Sequence, residues 1–407
     1  MISKFVRSAY SQTKLISFGI IAVVALLYAI LRPGLSFTLP HALTDEKSKT
    51  TSSKSWPMEG FNPARTRSVN YELSPPLRQI KVISLRDDVG TGSPPAIANN
   101  TLFIDSNKSL RAIDERKARE LWALPLAGEY LSPALYKGLV IIRSESANQG
   151  QVLALDVQTG RIRWAFQPRR ISSASNDYWG GHITSPVIVD DEVFIGAGKE
   201  LYALDAGTGT ILWEYDMADY VSSSAAVDKN KVVISDAQYL YAIDKNNGKL
   251  IWKTPIKFSV FFSPVIAEGY ILATSDKSIV VVDLQSGKQV WTKAIAGETL
   301  IPVGTDGKLA FAKSSWTLRA FDLKTGREIW AYKDGNFVSM PVITKTKIFV
   351  VSGVSAQTHI RCLEKSTGKV LWSLSYPNLS NASPVLSDGK LYVRTSKGQV
   401  IIFSPQG

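Results

Sequence analysis

The chain has 407 residues, 45% hydrophobic and 20% charged, with 15 Phe, 15 Tyr and 10 Trp; this suits one large domain or two ordinary ones and excludes disorder for the bulk of it. A single cysteine, Cys362, excludes an internal disulfide framework and a cysteine metal cluster, and His41, His182 and His359 are too scattered for a histidine site. Of the formal charge of +12, residues 1–54 hold seven Lys/Arg against two acids, and the other 40 basic and 33 acidic residues form no block of one sign, so no nucleic-acid partner is expected.

Residues 1–14 form a short tail. Leu15–Leu31 (LISFGIIAVVALLYAIL) carries no charge and is predicted as a transmembrane anchor helix. Eleven of its residues are Leu, Ile, Val or Phe, favouring insertion by ~3–7 kcal/mol, and Lys14 and Arg32 flank it where they can snorkel. A cleavable signal peptide is the rival, but the following RPGLSFTLPHALT offers no clean small-x-small site. No cysteine follows the run, which excludes a lipid-modified N-terminal cysteine. Lys4, Arg7 and Lys14 precede it, so the expected topology is a single-pass protein of the cell membrane with its large domain on the extracytoplasmic side. Residues 32–55 are rich in Ser, Thr and Lys and read as a flexible linker.

From residue 56 to 407 the chain repeats itself. Seven segments run small, apolar, acid, three variable residues, Gly, three more, Trp, as in VLALDVQTGRIRW and LYALDAGTGTILW. The acids are Asp114, Asp156, Asp205, Asp244, Asp283, Asp322 and Glu364; the tryptophans, each eight residues on, are Trp122, Trp164, Trp213, Trp252, Trp291, Trp330 and Trp372. Successive tryptophans stand 39 to 49 residues apart, the length of a four-stranded propeller blade. Upstream of each hairpin lies a second marker, Ser-Pro or a close variant, from Ser93-Pro94 to Ser383-Pro384, and there are eight of these. The last is followed by only three strands, so Leu77–Leu85 (LRQIKVISL), short and β-branched, is expected to supply the fourth. The prediction is an all-β, eight-bladed propeller closed by an N-terminal strand.

Each motif residue has a physical task. The acid's carboxylate accepts bonds from turn amides. The glycine gives the positive φ of a tight hairpin, and Ala118 in its place in the first repeat predicts an altered or strained turn. The tryptophan lies on the outermost strand, where its ring covers a blade interface and its indole N–H needs an acceptor. Cys362 fills a crowded small-residue position and reads as buried rather than reactive.

This pattern resembles the pyrroloquinoline-quinone-type (PQQ) repeat over residues 78–404, and Trp56–Arg67 (WPMEGFNPARTR) is similar to the lead-in ahead of such propellers. The resemblance implies one of two branches: quinoprotein dehydrogenases, or the BamB-like propeller of the β-barrel assembly machinery, a scaffold without catalysis that is usually lipid-anchored. The enzymes hold calcium or a lanthanide beside the quinone with carboxylate and amide ligands, use an aspartate base, and many bridge adjacent cysteines over the cofactor. With one cysteine this chain cannot form that bridge. The segments entering the inner strands contain only two carboxylates, Glu129 and Glu298, on non-adjacent blades, beside Tyr130, Phe261, Phe262 and Phe337. No hydrolase, metalloprotease, P-loop or dinucleotide signature is present.

The expectation is therefore a scaffold or accessory subunit of a membrane or envelope complex with protein partners, no catalytic residues, no cofactor and no metal. A PQQ-dependent dehydrogenase or a ligand-binding sensor ectodomain is the alternative. Partner contacts are expected where the repeat is interrupted, in PRRISSASNDYWGGH between blades 2 and 3 and in the connections RSESANQG and SGVSAQTH of blades 2 and 7. Arg169, Arg170, Asp177, Tyr178 and Trp179 are the predicted anchors.

Overall fold

The structure, a computed structural model, describes residues 55–85, 93–106, 109–126, 129–130, 132–146, 149–168, 184–256, 262–337, 339–354 and 357–406. The predicted tail, the anchor Leu15–Leu31 and all of the linker but residue 55 lie outside them. Among the described residues no helix is long and apolar enough to cross a membrane.

The described regular elements are strands, arranged in eight antiparallel sheets. Blade 1 spans residues 96–125, blade 2 129–166, blade 3 187–216, blade 4 226–255, blade 5 265–293, blade 6 301–333 and blade 7 342–375. Blade 8 joins Val385–Ser387, Lys390–Thr395 and Gln399–Pro405 to Leu77–Ser84, which pairs antiparallel with Gln399–Pro405 as its outermost strand. The ring closes as the sequence predicted, and the backbone edge a missing strand would expose is paired.

Burial explains the sequence pattern. In blade 3 the middle strands Glu192–Ala197 and Glu200–Asp205 are covered on both faces and read EVFIGA and ELYALD, while the outer strand Ile211–Asp216 is largely open. Ala203 pairs with Trp213 and Leu204 with Ile211, so a bulge at Leu212 sets the tryptophan's register. The same bulge recurs in each of the other blades.

The lead-in was expected only to precede the ring; it makes a lap inside it. Trp56 exchanges two backbone bonds with Ile97 of blade 1, each 2.8 Å, and Leu135 of blade 2 donates to Pro57. The Ser185 hydroxyl at blade 3 donates to Glu59 (2.5 Å). Val227, Ile266, Thr305 and Ile343, from blades 4 to 7, then donate to Pro63, Ala64, Thr66 and Arg67. Residues 56–84 thus visit every blade in ring order before joining the eighth. Left-handed backbone at Gly60, Phe61, Arg65 and Arg67 (φ +80°, +75°, +61° and +53°) gives this segment its curl.

Candidate functional site

The predicted structural residues come together between blades rather than within one. Each tryptophan indole of blades 1 to 6 donates to the carbonyl just after the acid of the next blade: Trp122 to Val157, Trp164 to Ala206, Trp213 to Lys245, Trp252 to Leu284, Trp291 to Leu323 and Trp330 to Lys365, at 2.7–3.1 Å. The acid shapes the turn that presents this carbonyl. Asp156, Asp205, Asp283 and Asp322 accept from the amide three residues on, at 2.8–2.9 Å, as does Asp114 from Lys117 (2.9 Å). Asp244 accepts from the Asn246 amide (2.8 Å), and Glu364 from the Thr367 hydroxyl. Hydrogen bonds from Arg163 and Thr159 hold the Asp156 carboxyl down at about 2. The glycine has a second task that sequence reasoning missed: a Cβ on Gly287 would lie 2.6 Å from the Trp252 ring, so the indole packs flat on the bare backbone. Trp372 packs against the core that includes strands of blades 7 and 8.

At blade 8 the register position of the tryptophan is held by Lys81, opposite Ile402 and beside the bulge. Its ammonium donates to the Glu115 carbonyl (2.7 Å), the blade 1 equivalent of the indole acceptors, and to the Arg116 carbonyl (2.6 Å). Lys81 stands at the register position of the ring, and Ala118 in that turn has φ +48°.

Strand order places these hairpins on one face of the ring. The entries to the inner strands and the connections between second and third strands open on the other, the entry face. The predicted anchors Arg169, Arg170, Asp177, Tyr178 and Trp179 lie outside the described residues. The two long connections are corrected: in blade 2 the strands Leu139–Ser146 and Gln149–Asp156 pair out to Ser146–Gln149, and in blade 7 Lys347–Val354 and Gln357–Glu364 pair out to Val354–Gln357. The inserted residues lengthen hairpins instead of forming loops. In blade 2 the extension gains a further strand, Glu129–Tyr130.

The entry face also carries Trp316, 62% exposed, in the turn between Leu309–Lys313 and Thr317–Asp322. This tryptophan lies outside the repeat, on a turn that needs no apolar residue, and that mismatch was its signal in the sequence. Its turn is fixed by Ser314 N donating to the Thr317 carbonyl (2.8 Å) and Asp334 N to the Trp316 carbonyl (3.1 Å).

The channel mouth is bound by serines of the second marker. Ser185 N donates to Ser224 Oγ, Ser224 N to Ser263 Oγ and Met340 N to Ser383 Oγ, at 2.9–3.2 Å, each reaching the next blade. Below, the lead-in places Glu59 beside two arginines, Arg65 Nη2 at 3.2 Å and Arg67 Nη2 at 3.7 Å. Burial opposes the Glu59 charge, but Arg65, Arg67 and Ser185 hold its carboxyl below the usual range. Of the mouth carboxylates, Glu298 is engaged by Arg319 (2.9 Å). Among the described residues no group of three or more His, Cys, Asp or Glu could hold a metal ion. Burial pushes the Cys362 thiol up to about 12, leaving no thiolate at neutral pH. The described carboxylates therefore offer no cluster of charged oxygens for a hard cation beside a quinone.

The family described as outer membrane protein assembly factor BamB matches residues 67–166, 175–332 and 333–406. The crystal structure of BamB from Moraxella catarrhalis superposes with a TM-score of 0.62 at 18% identity, covering 81% of this chain and 99% of that one. A quinohemoprotein alcohol dehydrogenase from Pseudomonas putida HK5 superposes with a TM-score of 0.66 at 14% identity, covering 86% and 80%; these likenesses show the fold. An uncharacterized protein of Rickettsia prowazekii is 27% identical over 141 residues, 32% of this chain. The chain spans about a third of the length of the curated relatives it matches.

Proposed function

Because the chain belongs to the outer membrane protein assembly factor BamB family, we propose that it works as a non-enzymatic scaffold or accessory subunit of a membrane or envelope complex. In this reading the Leu15–Leu31 segment anchors the protein, the propeller stands on the extracytoplasmic side, and protein partners dock on the entry face. The observation that carries the reading is the contrast between the two ends of the ring. The hairpin-face turns of blades 2 to 7 are taken up by indole docking, whereas the entry face presents Trp316 at 62% exposure on a turn that backbone bonds fix. A large amphipathic ring on a fixed turn is the side chain that anchors interfaces. The lack, among the described residues, of a carboxylate cluster for a cation beside a quinone supports the same choice.

Replacing Trp316 with Ala tests this. Folding should be retained, since the ring is exposed, and capture of membrane partners by the full-length protein should fall at least tenfold. Undiminished capture by Trp316→Ala and by Trp179→Ala would remove the entry face as the docking surface.

A further inference from the structure

The lead-in is left short of hydrogen-bond partners at one place. Arg65 and Arg67 are 6% and 5% exposed, and the Nη1 of each is buried with no hydrogen-bond partner. Both guanidiniums turn their other terminal nitrogen to the same oxygen, Glu59 Oε1. One carboxylate therefore serves two buried cations. A third cation, Lys313 of blade 6, donates to the Phe337 carbonyl (2.7 Å), and burial and the charge of Arg67 push it down to about 8. Arg67 is itself drawn down to about 10, by burial first and then by Arg65, against the pull of Glu59. Each of these departures reports uncompensated positive charge in a place poor in water.

Buried charge of one sign is costly, and donors without acceptors add to that cost. The backbone adds its own, since both arginines sit at positive φ, where non-glycine residues persist only when the surroundings hold them. The surroundings here are the inner strands of blades 6 and 7, which bond to Thr66 and Arg67. Thus the fold places two guanidinium forks in one buried spot and satisfies each in part. A planar fork with free N–H groups matches oxyanions in geometry as well as charge.

We propose that the buried spot between the lead-in and the inner strands of blades 6 and 7 is a binding site for a small oxyanion, of the phosphate or carboxylate class, held by the unpartnered Nη1 groups of Arg65 and Arg67 with Lys313 contributing charge. The site is separate from the entry-face turns and stands whether or not those turns bind a protein. Bound there, the anion neutralises the excess charge and braces the lead-in that ties the blades together.

The test is titration of the full-length protein in detergent with inorganic phosphate at constant ionic strength, chloride being the compensating ion, read by calorimetry and by thermal unfolding. The expected result is saturable one-to-one binding that raises the Tm. In Arg67→Gln the affinity should fall at least tenfold, while the Tm without phosphate stays level or rises, because a buried uncompensated cation has been removed. A purely structural Arg67 would instead lower that Tm. Lys313→Gln, with a smaller loss of affinity expected, serves as second variant if Arg67→Gln does not fold. Acetate in place of phosphate separates the carboxylate from the phosphate source, and saturable binding of either supports the site. No saturable response to either anion, or an affinity unchanged in the folded variants, overturns it.

Discussion

Six blade interfaces and the one that closes the ring solve the same packing problem with different chemistry. At each interface from blades 1 and 2 through blades 6 and 7 a tryptophan lies on a glycine turn and donates to one carbonyl. Between blades 8 and 1 Lys81 reaches the equivalent carbonyl, and the interface is reinforced by charge. Arg394 pairs with Asp105 (3.0 Å), both 1% exposed, and also donates to the Ser93 carbonyl (2.8 Å). Lys390 and Tyr392 both donate to Glu115, at 2.6 and 2.8 Å. Indole docking buries apolar area and tolerates any neighbouring repeat with the same turn. Ion pairs also cross indole-docked interfaces, Lys245 to Asp190 and Glu192 between blades 4 and 3 and Lys365 to Asp306 between blades 7 and 6. The closing junction differs in having a lysine in place of the indole and a fully buried pair, whose directional bonds suit the place where the two ends of the propeller segment must meet in register.

The largest effect should come from that junction. Arg394→Met leaves Asp105 buried without its cation and is expected to cost ~3–5 kcal/mol in urea unfolding, with much of the loss recovered in the double variant Arg394→Met/Asp105→Leu. Equal loss in the double variant would mean packing, not charge, dominates there. Next, Trp291→Ala should cost ~2–3 kcal/mol, below the range for a fully buried ring because Trp291 keeps partial exposure.

The turns discriminate more finely. Gly287→Ala meets the Trp252 ring and needs a left-handed alanine, for a cost of ~1–2 kcal/mol. Ala118→Gly, in the turn that Lys81 reaches, should gain less than ~1 kcal/mol. Matching signs in thermal unfolding would contradict the distinction between the two kinds of interface. The last effect is one of pH. Lys313 has a folded pKa of about 8, lowered from its ordinary value by burial and Arg67. Between pH 8 and the ordinary lysine range the unfolded chain therefore binds the proton more tightly, and stability from this group rises with pH. Urea unfolding of wild type across that window should show the rise, and Lys313→Met should remove it.

The ring was legible because its determinants are local and repeated. An acid, a glycine and a tryptophan recur at fixed spacing since turn, close approach and docking need all three together, and Leu77–Leu85 was recognisable as the strand the last blade lacked. What escaped were features with one copy or none in the pattern. Lys81 takes the tryptophan's place in a strand distant from its own blade in sequence, so spacing cannot flag it. The lap of residues 56–71 uses backbone donors of six blades, which any sequence could offer, and one side-chain bond, Ser185 to Glu59, at the third. RSESANQG and SGVSAQTH are polar and small, hence loop-like, yet their described residues pair as extensions of the hairpins on either side. Of the candidate site, Trp316 was legible only as a tryptophan outside the repeat, and the predicted anchors Arg169, Arg170, Asp177, Tyr178 and Trp179 lie outside the described residues.

The central claim is that the propeller acts by holding partners rather than by oxidising a substrate. It is tested most directly by isolating the full-length protein from its native membrane in mild detergent, identifying co-purifying proteins by mass spectrometry, and scanning the same sample for quinone absorbance. The account predicts stoichiometric membrane or envelope partners without a quinone chromophore. A quinone spectrum with calcium, dye-linked dehydrogenase activity and no partner would contradict it.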